Sequence, residues 1–193
     1  MSIVKLKNPK TKLYTEIKNH ILGDSFDWYY IDETTPEFDK STRESYDPIL
    51  KRYNQEGKIL FNPSMYCHGI LKRSNNNELY PRTMSSDIDK FNRMYCEIFN
   101  SNKESMESFQ MMCRCSANFV EPSQEEDIIT VPHTDHNFPH KNMLVYLTDA
   151  GGSTFVEGEE FAPEEDDVII FQGTHWHKLP RQKRRVVLVM TYI

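Results

Sequence analysis

His133-Thr134-Asp135, followed downstream by Gly151-Gly152-Ser153-Thr154-Phe155, by Gly173-Thr174-His175-Trp176-His177 and by Arg184-Arg185, is the stretch that decides the fold of this chain. On an extended segment residues i and i+2 point to one face, so His133 and Asp135 can converge on one ion while a distant strand brings a further ligand. Two imidazoles and one carboxylate on one face suit a mid-row divalent metal and leave coordination positions open, the donor set of non-haem Fe(II) sites that activate oxygen. Between these ligands stand the β-rich runs Asn142-Met143-Leu144-Val145-Tyr146-Leu147-Thr148 and Asp167-Val168-Ile169-Ile170-Phe171-Gln172, and after them Arg185-Val186-Val187-Leu188-Val189-Met190-Thr191-Tyr192, apolar on both faces. Short strands parted by turn residues predict a sandwich or closed barrel rather than helix-alternating βαβ units.

The distal ligand has two candidates, because His175 and His177 stand two residues apart and share a strand face. His136 and His140 beside the H-x-D pair suggest a contiguous zinc cluster with His133. Pro132 and Pro139 keep that segment extended, however, so the helical spacing such a cluster needs is missing and both are read as polar residues at the mouth. His20 and His68 are read as surface or structural residues.

With these elements in hand, the second half resembles the iron(II)- and 2-oxoglutarate-dependent oxygenases. Their double-stranded β-helix carries H-x-D, a hydrophobic strand, a Gly-Gly-x-Thr turn, a distal His and an Arg on the last strand, and all five stand here in that order. The first half is similar to small phage-type members through Phe26-Asp27-Trp28-Tyr29-Tyr30 and Tyr66-Cys67-His68-Gly69. The resemblance implies an α+β, mainly β fold: a jelly-roll or cupin-like double-stranded β-helix with supporting N-terminal helices. It implies His133, Asp135 and His177 as Fe(II) ligands, and Arg185, rather than its neighbour Arg184, as the partner of the distal carboxylate of 2-oxoglutarate. Tyr146 matches a tyrosine that donates to the same carboxylate, and Asn118 is a candidate for lining that pocket.

The implied activity is hydroxylation of a small molecule or a peptidyl residue with O2 as oxidant and succinate and CO2 as products; a carboxylate at Asp135 argues against halogenation. No acid or base beyond the metal ligands is implied. A non-catalytic metal-binding barrel and a zinc-dependent hydrolase remain as alternatives. The first leaves a buried carboxylate clamp at Arg185 unexplained, and the second leaves the Gly-Gly-x-Thr turn unexplained.

Length and composition fit this reading. A chain of 193 residues buries roughly 70% of its extended surface, enough for one substantial core. It is read as a single domain, with residues 1–107 as a supporting helical and mixed region and 108–193 as the barrel with its metal site. Met1 to Lys7 lacks a secretory apolar run, and the longest apolar run, Val186 to Met190, is strand-length; a cytoplasmic protein without a membrane span is expected. Four cysteines are too few and too uneven for a disulfide scaffold and are read as thiols. The net charge of −6 argues against a nucleic-acid-binding module. The acidic run Glu157 to Asp167 and the basic run Lys178 to Arg185 read as solvated loops.

Two amphipathic helices are expected in the first region. One carries Leu13, Tyr14, Ile17 and Ile21 and stops at Gly23; the other, capped by Ser86, carries Ile88, Phe91, Met94, Tyr95, Ile98 and Phe99. Asp47-Pro48 opens a short helix before Gly57, and Asp32 to Ser45 and Arg73 to Pro81 read as loops.

Overall fold

The computed structural model describes residues 3–31, 51, 55–60, 65–72, 85–106 and 109–193. Along them run β1 (Val4–Leu6), α1 (Lys12–Leu22), β2 (Tyr29–Ile31), β3 (Ile59–Leu60), β4 (Met65–Lys72), α2 (Ile88–Ser101), β5 (Met112–Val120) and β6 (Ile129–Thr130). Then follow β7 (Lys141–Tyr146), β8 (Thr154–Val156), β9 (Glu159–Phe161), β10 (Val168–Phe171), β11 (His175–His177) and β12 (Arg185–Tyr192). The loops expected at Asp32–Ser45 and Arg73–Pro81, and most of the helix expected after Asp47-Pro48, lie outside the described residues.

From β5 onward the chain passes back and forth between two sheets, with β8 and β9 consecutive in the second. The large one has the order β1-β10-β7-β12-β5-β4-β2, with antiparallel pairing throughout. The second has the order β11-β8-β9, and β6 with the His133 segment joins its β11 side through the antiparallel bridges Ile129↔Lys178 and His133↔His175. The quartet β5-β12-β7-β10 therefore faces the quartet β6-β11-β8-β9, which is the expected double-stranded β-helix. β3 extends the second group by pairing parallel with β6.

Alternation along the strands divides the interior in two. On β12 every residue is buried. Val186, Leu188, Met190 and Tyr192 join Met143 and Val145 of β7 and Cys115 and Ala117 of β5 in a dry layer under the helices, whereas Val187 and Val189 join Leu144, Tyr146, Ile169 and Phe171 on the side facing the second sheet. A fully buried aliphatic side chain contributes about 1.5–3 kcal/mol, so the dry layer anchors the large sheet and leaves the opposite side free to carry polar groups.

Both helices form as expected and bury the predicted stripes: Tyr14, Ile17 and Ile21 in α1, and Phe91, Met94, Tyr95 and Ile98 in α2. Thr11 caps α1 by accepting the Tyr14 N–H at 3.2 Å, and its hydroxyl donates to Glu97 at 2.5 Å, tying the two helices together. Gly23 closes α1 with an extended φ of −82°, not a left-handed one; its N–H donates to the His20 carbonyl. Ser86 does not cap α2: the first turn starts one residue later, at Asp87, whose carboxylate reaches Lys90 instead. All four cysteines are free thiols, Cys96 exposed and the others buried. No described helix is long and apolar enough to cross a membrane.

Candidate metal and carboxylate site

A cavity of about 110 Å³ lies between the two sheets. Its lining contains His133, Asp135 and His177, together with Arg185, Tyr146 and Asn118, so the six residues singled out from the sequence meet in one place. Arg114, Ser116 and His175 join them.

At one side, His133 and His175 are held face to face by paired backbone hydrogen bonds, His133 N–H to His175 O at 2.9 Å and the reverse at 3.0 Å. The ring nitrogens that could ligate an ion on His133, His175 and His177 lie within 4.8 Å of one another. Each Nδ1 already has a partner: the Val131 carbonyl at 2.9 Å for His133, the Gly173 carbonyl at 3.3 Å for His175, and the Thr154 hydroxyl at 2.9 Å for His177. Partners at Nδ1 leave Nε2 for a metal and fix the ring, as ligating histidines require. Burial and the neighbouring His133 bring His175 down to about 3. Burial and the Arg185 charge lower His177 as well, so both imidazoles are neutral near pH 7 and need lose no proton to ligate.

Asp135 stands beside this cluster, its Oδ2 3.7 Å from His175 Nε2 and its Oδ1 accepting from Arg114. Burial would raise its pKa, but Arg114, then His175 and His133, hold it well below the usual carboxylate range. It is an ionised carboxylate paired with Arg114, lining the same cavity as the three histidines but outside the group whose ligand atoms lie within 4.8 Å of one another. This donor set fits Fe(II).

The other side of the cavity is built by the Gly-Gly-x-Thr turn and the start of β12. Arg185 is 4% exposed; its Nη1 donates to the Gly152 carbonyl at 3.2 Å and the Lys178 carbonyl at 3.0 Å, while its Nε is buried and has no partner among the described residues. Gly152 has φ +82°, and a Cβ there would meet the Lys178 carbonyl at 2.5 Å and Arg185 Nη1 at 3.1 Å, so a side chain would push the guanidinium aside. Arg184 points outward, pairing with Glu121 at 3.4 Å over the Phe119 ring. Tyr146, pushed up to about 12 by burial, keeps its proton, and its hydroxyl lies 2.6 Å from that of Thr154. The Asn118 side-chain oxygen is buried without a partner among the described residues. A guanidinium with a spare donor and a protonated tyrosine hydroxyl fit a carboxylate.

The remaining histidines keep to ordinary roles. His136 hydrogen-bonds Thr191 at 2.7 Å and stacks on Phe138, and His140 is buried against the Phe138 carbonyl at 2.7 Å. Neither belongs to the metal-competent cluster of the described residues. His68 packs on Phe26, and His20 approaches Asp87 at 3.6 Å. The basic run is locally neutralised, Lys178 by Asp127, Arg181 by Glu126 and Arg184 by Glu121.

Sequence reasoning gave no role to Arg114, nor to Thr154, although Thr154 ends the Gly-Gly-x-Thr motif. Arg114, Ser116 and Asn118 are alternate polar positions in a strand whose other residues are apolar, a period-2 signal for a polar face turned inward. For Thr154 the motif marks the position but not the role, since its partnership with His177 depends on the register of β8 against β11.

No family model matches the chain, and no curated protein matches it. Among solved structures it is similar to an oxidoreductase of the 2OG-Fe(II) oxygenase family from Burkholderia pseudomallei, at 14% identity and TM-score 0.47 over 96% of this chain and 92% of that one. It is also similar to the viral collagen prolyl hydroxylase of Paramecium Bursaria Chlorella virus-1 in its 2OG complex, at 13% identity and TM-score 0.47 over 89% and 98%. A prolyl hydroxylase from Trichoplax adhaerens, in complex with a hypoxia inducible factor peptide, follows at 10% identity and TM-score 0.43 over 96% and 94%. By its strand order the chain is a double-stranded β-helix, and the solved structures it is similar to include 2OG-Fe(II) oxygenases and prolyl hydroxylases.

Proposed function

We propose that the protein is an Fe(II)- and 2-oxoglutarate-dependent dioxygenase that hydroxylates its substrate, a small molecule or a peptidyl residue, with succinate and CO2 as co-products. The observation that carries this reading is the joint lining of one cavity by His133, Asp135, the β11 histidines, Tyr146, Asn118 and Arg185. Iron would be held by His133, Asp135 and His177, with Arg185 and Tyr146 taking the distal carboxylate of 2-oxoglutarate and Asn118 lining the same pocket. Bound together, iron and 2-oxoglutarate supply the oxidising chemistry that O2 activation requires. The chain's own contribution is positioning: Nδ1 partners orient the imidazoles, Arg114 keeps Asp135 ionised, and the valines of β12 exclude water from the space between.

A second reading of the ligand set is favoured by a specific contact. His175 lies directly opposite His133 and 3.7 Å from Asp135, so it competes with His177 for the ion. The deciding experiment is an anaerobic titration of the apoprotein with Fe(II) and then 2-oxoglutarate, read by the weak visible charge-transfer band of the chelate. A band that needs both components supports the oxygenase; its loss in His177→Ala but not His175→Ala assigns His177, and the opposite pattern assigns His175. Bound metal with no band in the wild-type protein removes the proposal in favour of a non-catalytic or hydrolytic metal centre.

A further inference from the structure

We propose that Thr154 is a positioning residue whose single hydroxyl proton sets the direction of a buried hydrogen-bond chain, from His177 through Thr154 to Tyr146, so that the Tyr146 proton is delivered into the carboxylate side of the cavity. Thr154 is fully buried, with His177 Nδ1 at 2.9 Å and the Tyr146 hydroxyl at 2.6 Å on its Oγ1. β8 pairs with β11 in the register His177↔Thr154, which places the two side chains side by side. Tyr146 reaches them from β7 of the opposite sheet.

A hydroxyl has one proton to donate and two lone pairs to accept with. Only two arrangements satisfy all three groups. In the first, His177 Nδ1–H donates to Thr154, Thr154 donates to Tyr146, and the Tyr146 proton is left for an acceptor in the cavity. In the second, Tyr146 donates to Thr154, Thr154 donates to Nδ1, and His177 carries its proton on Nε2. If both neighbours donated to Thr154, its own proton would be stranded, since no other acceptor for it is found among the described residues; burial makes that costly. The chain therefore links two events. A free Nε2 on His177 and a donating Tyr146 belong to the same arrangement, the one proposed for the ligand-free chain, and an anion beside Arg185 reinforces it by accepting the tyrosine proton. The part concerning 2-oxoglutarate rests on the function proposed above, whereas the part concerning the His177 tautomer does not.

The test has two readouts. In the metal-free full-length chain with 15N-labelled histidine, long-range 1H–15N spectra, with His177 assigned from a His177→Gln variant, should show the Nδ1–H tautomer in the wild type and in Thr154→Ser. That tautomer should be lost in Thr154→Val. Calorimetric titration of the Zn(II)-loaded chain with 2-oxoglutarate should show binding weakened about tenfold in Thr154→Val and held within about twofold in Thr154→Ser, the scale of one charge-assisted hydrogen bond. Tyr146→Phe should cost a similar factor in the wild type and little in the Thr154→Val background. A wild-type Nε2–H tautomer, unchanged binding in Thr154→Val, or full additivity of the two losses overturns the proposal. If the wild-type chain binds no 2-oxoglutarate, the proposed function fails, and the tautomer alone decides the role of Thr154.

Discussion

Asp166 and Asp135 are both low-exposure carboxylates set among cations, yet they belong to different kinds of place. Asp166, in the turn before β10, accepts from the Tyr14 hydroxyl at 2.5 Å and from Lys18 at 2.5 Å, with Lys10 at 2.9 Å. Every group there is spent on another, and the result pins α1 to the sheet. Asp135 has one cation, Arg114, and beside it stand imidazoles and guanidiniums with unspent nitrogens. Perturbed acids occur in structural networks and in functional sites alike. What separates these two is whether the neighbours retain hydrogen-bonding capacity for something not yet present.

Substitution at the two aspartates puts that distinction to its hardest test. Asp135→Ala should abolish iron-dependent turnover and lower Fe(II) affinity more than about 100-fold, beyond the loss typical of an outer-shell partner. Unchanged metal affinity, measured by competition with a chromophoric chelator, would transfer the site to the three histidines. Next in size, Arg185→Ala should weaken 2-oxoglutarate binding by about 2–5 kcal/mol, the cost of stranding a buried charge partner, with iron binding nearly intact. The same loss from Arg184→Ala instead would show that the two guanidiniums have exchanged faces. Asp166→Ala should lower unfolding free energy by about 1–3 kcal/mol in urea denaturation while metal affinity holds; a loss of metal binding there would erase the contrast.

The smallest expected effect is a pH dependence. Burial would raise Asp166, but the hydrogen bonds from Lys18, Tyr14 and Lys10 outweigh it and bring the group to about 2. A folded-state pKa below the unfolded value of about 3.9 means stability that is present above that value and lost as pH falls toward the folded one. Wild-type protein should therefore lose about 1–2 kcal/mol between roughly pH 4 and pH 2, allowing for solvent screening. Asp166→Asn should lack that component, and identical acid profiles for the two proteins would remove the assignment.

The barrel was legible in the chain because its strands are long or strongly patterned: β12 begins and ends at Arg185 and Tyr192 as read. Spacing brought together the H-x-D pair and the β11 histidines, and the resemblance to the oxygenases added Arg185, which lines the same cavity. β1, β6 and β9 escaped because two or three residues, in β9 two of them glutamates, carry no periodicity; pairing partners far along the chain make them strands. Spacing alone left His175 and His177 open, and the resemblance favoured His177. Both face inward on β11; His175 is bridged to His133 and lies 3.7 Å from Asp135, whereas His177 is bonded to Thr154.

The large sheet is finished at its two sides by β1, on β10, and β2, on β4, and both come from the first 31 residues of the chain. Each finishing strand is three residues long, too short to template much further pairing, whereas the β4 strand it shields runs for eight. Short borders of this kind act as guards against intermolecular sheet growth. A chain lacking residues 3–31 would thus face a colloidal hazard as well as a thermodynamic one: with β4 and β10 uncovered on opposite flanks, each molecule would become bifunctional, able to extend a ribbon of barrels in both directions.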